Sequence, residues 1–170
     1  TVISAYGKSD SEEKSKQSFN VLKRLVAAST RYQSSQRNNS RAVPYAFNAA
    51  LNACCFAHET SAQREESFSI VQEIMNMMES FPGTCSADEV TYGTILRICA
   101  QLLTEDDPRR NEMAKRAFSE ACEKGLCGHF VLSQLRFAAG DNLYRSLLGC
   151  SPSTKLQTSD VPAHWTRKLK

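Results

Sequence analysis

The feature that most constrains this chain is an internal repeat. Residues Pro44 to Cys55, PYAFNAALNACC, return as Glu89 to Ala100, EVTYGTILRICA, with an aromatic residue, a leucine and a cysteine each displaced by 45 positions. Thr1 to Ser9, TVISAYGKS, matches Ala49 to Ala57 at an offset of 48. Repeats of about 20–50 residues are typical of arrays whose units bury their apolar faces against one another. We therefore expect a repeat array that starts in the middle of a unit, in a piece of a longer protein.

The hydrophobic pattern predicts an all-α fold. Apolar residues recur every three or four positions, as in amphipathic helices. Breaker segments such as HETSA and TEDDP are short, so we expect them to join antiparallel helix pairs. The predicted helices cover about residues 12–32, 45–58, 62–80, 89–103 and 109–124, with two shorter helices after Gly125.

These helices divide the chain into five predicted segments. We expect the last helices to cap the array, because the exposed face of a terminal repeat must be covered. The polar C-terminal tail carries one bulky residue, Trp165, which we expect to dock back onto the fold. The segments are a partial repeat at 1–43, repeats at 44–88 and 89–125, capping helices at 126–149, and the tail at 150–170.

The net charge of +3 is too small to identify a nucleic-acid partner by itself. The charges are unevenly spread, however. Lys14 to Arg41 contains seven basic residues and no acidic one, whereas Glu59 to Asp88 contains six acidic residues and only one basic residue, Arg64. We interpret the basic run as a solvated helix face with its loop.

The cysteines and histidines do not form a recognisable motif. Seven cysteines without regular spacing favour free thiols in an intracellular compartment. Cys122, Cys127 and His129 lack a fourth ligand at a familiar spacing, so we predict no metal and no cofactor. No nucleophile or phosphate-binding motif is present, which argues against an enzyme and a small-molecule substrate. No apolar run reaches the roughly 18 residues of a membrane span.

The paired segments resemble the pentatricopeptide repeat family. The similarity covers about residues 1–149 and is clearest in DEVTYGTIL, YAFNAALNAC, TVISAYGKS and FSEACEKGL. The repeats here exceed the family length of about 35 residues, through inserted loops at Gln33–Arg41 and Ser80–Ala87. The resemblance implies a right-handed α-α superhelix that binds single-stranded RNA without catalysis, in a mitochondrion or plastid, during RNA processing, stabilisation or translation.

The resemblance also implies which positions contact RNA. In this family the residue after the first-helix aromatic and the last residue of the repeat select one base, and an Asn with Asp pair is similar to the uracil-preferring combination. The implied positions are Asn48 and Asp88 for base selection, Tyr45 and Val90 for stacking, Gly93 as the selecting position of the next repeat, and Lys8 near the phosphates.

Some of these positions have a structural alternative. Asn48 also suits a solvent-facing helix, and Asp88 is a good N-cap for a helix starting at Glu89. The periodicity favours Phe47 and Tyr92 as core residues. Gly93 has no side chain with which to select a base. At the level of function, the alternative is a helical scaffold that binds other proteins without contacting RNA.

Overall fold

A computed structural model of the chain describes residues 2–7, 13–32, 42–56, 60–80 and 86–169. Every regular element in these ranges is helical, which confirms the predicted all-α class for this part of the chain. A 3-10 turn at Ala163–Trp165 follows the α-helices. The α-helices are α1 (Val2–Gly7), α2 (Lys14–Tyr32), α3 (Ala42–Cys54), α4 (Ser61–Ser80), α5 (Glu89–Leu102), α6 (Pro108–Lys124), α7 (His129–Ala138) and α8 (Asp141–Leu148).

The largest difference from the predicted helices concerns α3. It begins at Ala42, ahead of the predicted start at Tyr45, and Pro44 is its third residue. Proline is tolerated there because first-turn N–H groups have no partner within the helix. The helix ends at Cys54, and Cys55 donates its N–H to the Asn52 carbonyl at 3.1 Å in the turn that follows. The predicted end at His58 lies outside the described residues, as does the insertion at Gln33–Arg41.

The chain forms two compact units, Thr1–Ala87 and Asp88–Lys170. In the first unit α1 packs on α2 and α3, α2 also contacts α3 and α4, and α3 contacts α4. Leu22, Phe47 and Val71 form part of its core and are fully buried. Ser18 and Ser67 are also buried, and Ser67 Oγ lies 3.0 Å from Ser15 Oγ where α4 meets α2. Small residues at these positions allow close packing of the helices.

In the second unit α5 packs against α6 and α7, and α6 also contacts α7 and α8. Gly125 ends α6 in the left-handed region, with φ of 73°, as expected for a C-terminal glycine. Gly149 ends α8 in the same way, with φ of 69°. In each unit the first helix therefore contacts the second and third, and the second contacts the third and fourth.

Arg110 of α6 joins the ends of two other helices. Its Nη1 donates to the Leu103 carbonyl at 3.0 Å, just beyond α5. Its Nε and Nη2 donate to the Ala138 and Phe137 carbonyls at 3.0 and 2.6 Å, in the last turn of α7. The final carbonyls of a helix have no partner within the helix, so one guanidinium satisfies groups at both helix ends.

The C-terminal tail docks on α6, as predicted for Trp165. The Trp165 ring meets the Phe118 ring edge to face, with centroids 5.6 Å apart. Cys127 donates its N–H to the Trp165 carbonyl at 2.8 Å, and Lys168 donates its N–H to the Gly125 carbonyl at 3.0 Å. These bonds fix the tail beside the end of α6. Among the described helices, none has the length and apolar character to cross a bilayer.

Candidate nucleic-acid interface

Side chains at a helical spacing form a partly exposed stripe on α3, which we call the α3 stripe. Its members are Tyr45, Asn48, Ala49 and Asn52; the side chain of Tyr45 is 56% exposed and the other three are half-buried. The residues between them, including Phe47 and Leu51, are fully buried. The hydroxyl oxygen of Tyr45 lies 3.3 Å from Ser4 Oγ on α1. The α3 stripe thus presents a phenol ring and two amides beside a fixed hydrophobic core.

The matching positions on α5, 45 residues later, form the α5 stripe: Val90, Gly93, Thr94 and Arg97. Val90 is 49% exposed and Arg97 is half-buried, but Gly93 and Thr94 are buried. The repeat therefore gives the two stripes the same register and different accessibility.

Gly93 is buried because the ring of Phe130 on α7 packs on it. A Cβ built on Gly93 would lie under 3.0 Å from three atoms of that ring, so no larger residue fits without displacing Phe130. Gly93, which the resemblance implies as a base-selecting position, is thus covered by a residue of another helix. Glycine serves here to let α7 approach α5 closely.

Two contacts hold Phe130 in place. Its backbone N–H donates to Oε1 of Glu89 at 3.0 Å. Gly128, the N-cap of α7, has no side chain, so the Glu89 carboxylate supplies the acceptor that an N-cap residue would otherwise provide. The Arg97 guanidinium carbon lies 5.0 Å from the Phe130 ring centroid, within the range of a cation-π contact.

Asp88 is the N-cap of α5. Its Oδ1 accepts the Thr91 N–H at 2.8 Å and the Thr91 hydroxyl at 2.9 Å, while Thr91 Oγ1 accepts the Asp88 N–H at 3.1 Å. The helix is therefore closed by a reciprocal capping box. This structural role is the alternative that the sequence left open for Asp88.

Phe47 and Tyr92 are buried, which confirms them as core residues. Lys124 Nζ donates to the Tyr92 hydroxyl oxygen at 2.6 Å, and that hydroxyl donates to Glu120 Oε2 at 3.3 Å. Burial raises the pKa of Tyr92 above its ordinary value, and the contact with Lys124 opposes part of this effect. The pKa of Lys124 is raised chiefly by its hydrogen bond to Tyr92.

The basic run includes residues that are paired with other side chains. Lys16 Nζ lies 2.9 Å from Glu66 Oε1, and Lys23 Nζ lies 4.4 Å from the Phe19 ring centroid. A groove of about 360 Å³ between α2 and α4 is lined by both lysines and by Glu66 and Glu73. The mixed charge of this groove makes it a poor track for phosphates.

No cluster of three or more metal-binding side chains occurs in the part of the chain that the structure describes. Cys122 and Cys127 are buried, whereas His129 is exposed. The hydrogen bond with Cys127 and burial together raise the pKa of the Cys122 thiol. A thiol held in its protonated form is a poor nucleophile and a poor metal ligand.

The predicted site residues fall into three groups. Tyr45 and Asn48 share the α3 stripe in the first unit, Asp88, Val90 and Gly93 belong to the second unit, and Lys8 lies outside the described residues.

Neither Phe130 nor Arg97 was predicted. Phe130 is recognised only with the structure, because the buried pair Val131 and Leu132 then aligns with Thr91 and Tyr92 at an offset of 40. That alignment gives Phe130 the position that Val90 and Tyr45 hold on their helices.

Comparison with known proteins provides no relative: no family model, curated protein or solved structure matches the chain. The resemblance to pentatricopeptide repeats therefore depends on the sequence elements alone.

Proposed function

We propose that this chain binds single-stranded RNA through the α3 stripe. The observation that carries the proposal is an exposed aromatic ring at Tyr45 one helical turn from the amide of Asn48, with Asn52 a further turn along. An aromatic face stacks on any base and contributes about 1–3 kcal/mol per base. An amide group offers two donors and an acceptor, which suit the edge of an unpaired base.

In this proposal the residues have separate roles. Tyr45 supplies stacking and Asn48 selects the base, with uracil preferred by the resemblance to pentatricopeptide repeats. The helix pairs are units of a right-handed superhelix, supported by the contacts of α1 and α2 with α3 and of α5 and α6 with α7. Asp88 acts as a helix cap in this scheme. The resemblance further supports organellar RNA processing, stabilisation or translation as the setting, with localisation in a mitochondrion or plastid.

The expected affinity is low. Two or three bases at the stacking energy above provide about 2–9 kcal/mol, which corresponds to roughly micromolar binding at best. The assay must therefore resolve weak binding and must include a salt series, because phosphate contacts make RNA binding weaken as salt increases.

The test compares Tyr45→Ala and Asn48→Ala with Phe137→Ala by titration of fluorescent oligouridylate, oligocytidylate and oligoadenylate. Phe137 on α7 is a matched control because its side chain is 56% exposed, like that of Tyr45. We expect Tyr45→Ala to lose about five- to 150-fold in affinity, Asn48→Ala to lose the preference for uracil, and Phe137→Ala to change neither. A wild-type chain with no measurable affinity, or equal affinities for all four proteins, contradicts the proposal.

A second candidate function is that of a protein-binding scaffold. It is favoured by the second unit, where Phe130 covers Gly93 while Val90 and Phe137 remain exposed apolar side chains. Apolar surface at a helical face suits contact with another protein. A pull-down with and without nuclease separates the two functions, because partners retained after nuclease support the scaffold and partners lost support RNA.

A further inference from the structure

The α5 stripe repeats the register of the α3 stripe, but its centre is filled. The Phe130 ring lies on Gly93, which matches Asn48, and the Arg97 guanidinium, which matches Asn52, lies over the same ring at 5.0 Å from its centroid. In the proposed RNA binding, a base lies over Asn48 of the α3 stripe. The corresponding place on the α5 stripe, over Gly93, is filled by the Phe130 ring.

We propose that Phe130 takes the place of a nucleobase on the α5 stripe and so confines base selection to the α3 stripe. This inference rests on the proposed RNA binding and adds a specificity-determining residue to it. A phenyl ring has the planar shape of a pyrimidine, and arginine planes stack on bases as readily as aromatic rings do. Phe130 therefore faces a guanidinium and lies on a glycine, two surfaces that a planar base can also contact.

A hydrogen bond of the α7 backbone helps to hold this arrangement. Because the Phe130 N–H is bonded to Glu89, the start of α7 is fixed to the first turn of α5. The ring is half-buried, so shortening this side chain opens a recess over Gly93 that faces solvent. An RNA base can then occupy this recess, which the Phe130 ring fills in the wild-type protein.

The alternative is that Phe130 only packs two helices together. Both explanations predict some loss of stability when the ring is removed, since buried aromatic rings contribute strongly to packing. They differ in their prediction for RNA, because a purely structural ring leaves affinity unchanged when the chain stays folded.

The experiment measures affinities of the 170-residue chain for oligouridylate, oligocytidylate and oligoadenylate at low salt. The variants are Phe130→Ala, Phe130→Val and Phe130→Ala with Gly93→Asn, and Phe137→Ala is the control. Phe130→Val keeps an apolar residue, and valine is also what α5 has at the aligned position, Val90. This variant is needed if Phe130→Ala unfolds the unit. Circular dichroism checks folding in every case.

We expect the Phe130 variants to bind oligouridylate about five- to 150-fold more tightly than wild type, the range for one added stacked base. The variant with Asn at position 93 should in addition strengthen the preference for uracil, because it restores the amide found at position 48. Phe137→Ala should match wild type.

Two failures are distinguishable. If the wild-type chain shows no affinity for any oligonucleotide, the proposed function fails and this inference fails with it. If wild type binds and Tyr45→Ala weakens it, but folded Phe130 variants bind equally or more weakly, the inference alone is overturned. Weaker binding would make Phe130 a contact of the RNA in its own right.

Discussion

The α3 stripe and the α5 stripe come from the same sequence repeat and differ in how accessible their central residues are. On α3 the central position is Asn48, which is half-buried, and on α5 it is Gly93, which is covered by a ring from α7. The repeat register decides which way a residue points from its own helix, and on α5 the packing of α7 closes that direction. Equivalent positions in a repeat are therefore not equivalent surfaces.

The strongest test of this comparison replaces the central residue of each stripe, Gly93 or Asn48, with alanine. Gly93→Ala should lower the free energy of unfolding by about 1–3 kcal/mol, because the new Cβ overlaps the Phe130 ring and α7 must shift. Asn48→Ala, on the partly exposed α3 stripe, adds no overlapping atom and should cost less. Urea denaturation of both variants measures the difference.

A double-variant cycle locates the cause of that effect. When Phe130→Ala is also present, Gly93→Ala should cost little, because the overlapping ring is gone. Equal costs for Gly93→Ala with and without the ring would contradict the account of a covered glycine.

The second difference concerns how α5 begins. Asp88→Ala removes the acceptor of the Thr91 N–H and should cost about 0.5–2 kcal/mol of unfolding free energy. Asp88→Asn keeps a side-chain oxygen and should cost much less, without altering base preference. A changed base preference in folded Asp88→Asn would instead support the base-selecting role that the resemblance implies for this residue.

The third difference is at the aromatic position inside each helix, where α3 has Phe47 and α5 has Tyr92. Tyr92→Phe should lower the unfolding free energy by about 0.5–1.5 kcal/mol at neutral pH, because it removes the hydroxyl that bonds to Lys124 and Glu120.

The same variant should flatten the pH dependence in alkali. Burial raises the pKa of Tyr92 above the ordinary value of 10.0, so the folded chain keeps a proton that the unfolded chain releases. The resulting stability is fully present below pH 10.0 and is lost as pH rises through the folded pKa. The raised pKa of Lys124 acts in the same direction above 10.5. Denaturation at several alkaline pH values should show a smaller decline for Tyr92→Phe, and an equal decline would exclude this residue as the cause.

The smallest expected effect concerns Arg97, whose guanidinium lies over the Phe130 ring. Arg97→Gln removes the cation-π contact with Phe130 and should cost about 0.5 kcal/mol. Asn52→Gln, at the matched position of the α3 stripe, is the control because it leaves the contact between Arg97 and Phe130 in place. Thermal melting measures both variants, and a melting temperature of Arg97→Gln equal to that of wild type would show that Arg97 contributes nothing to holding the ring.

Much of the fold was predictable because it follows from local patterns. The 45-residue offset located the matched helices, Gly125 marked the end of α6, and the bulk of Trp165 in a polar tail predicted its docking. These features depend on periodicity, on a backbone conformation that glycine favours, and on one large apolar ring.

The closure of the α5 stripe was not predictable in the same way. Gly93 is compatible with a bare helix surface or with a close neighbour, and only the packing of α7 distinguishes them. Phe130 falls in a helix that does not repeat the first-helix motif clearly, so its equivalence to Val90 emerges only when buried residues are aligned. Capping by Asp88 was foreseen as an alternative, since N-cap preference is local.

Arg110 has a consequence for how the second unit opens. Its one guanidinium bonds to carbonyls at the ends of both α5 and α7, so fraying of either end removes bonds that help to position the guanidinium for the other end. Amide hydrogen exchange at the two helix ends should consequently share one opening free energy. The two termini then behave as a single cooperative element, although 34 residues separate Leu103 from Phe137 along the chain.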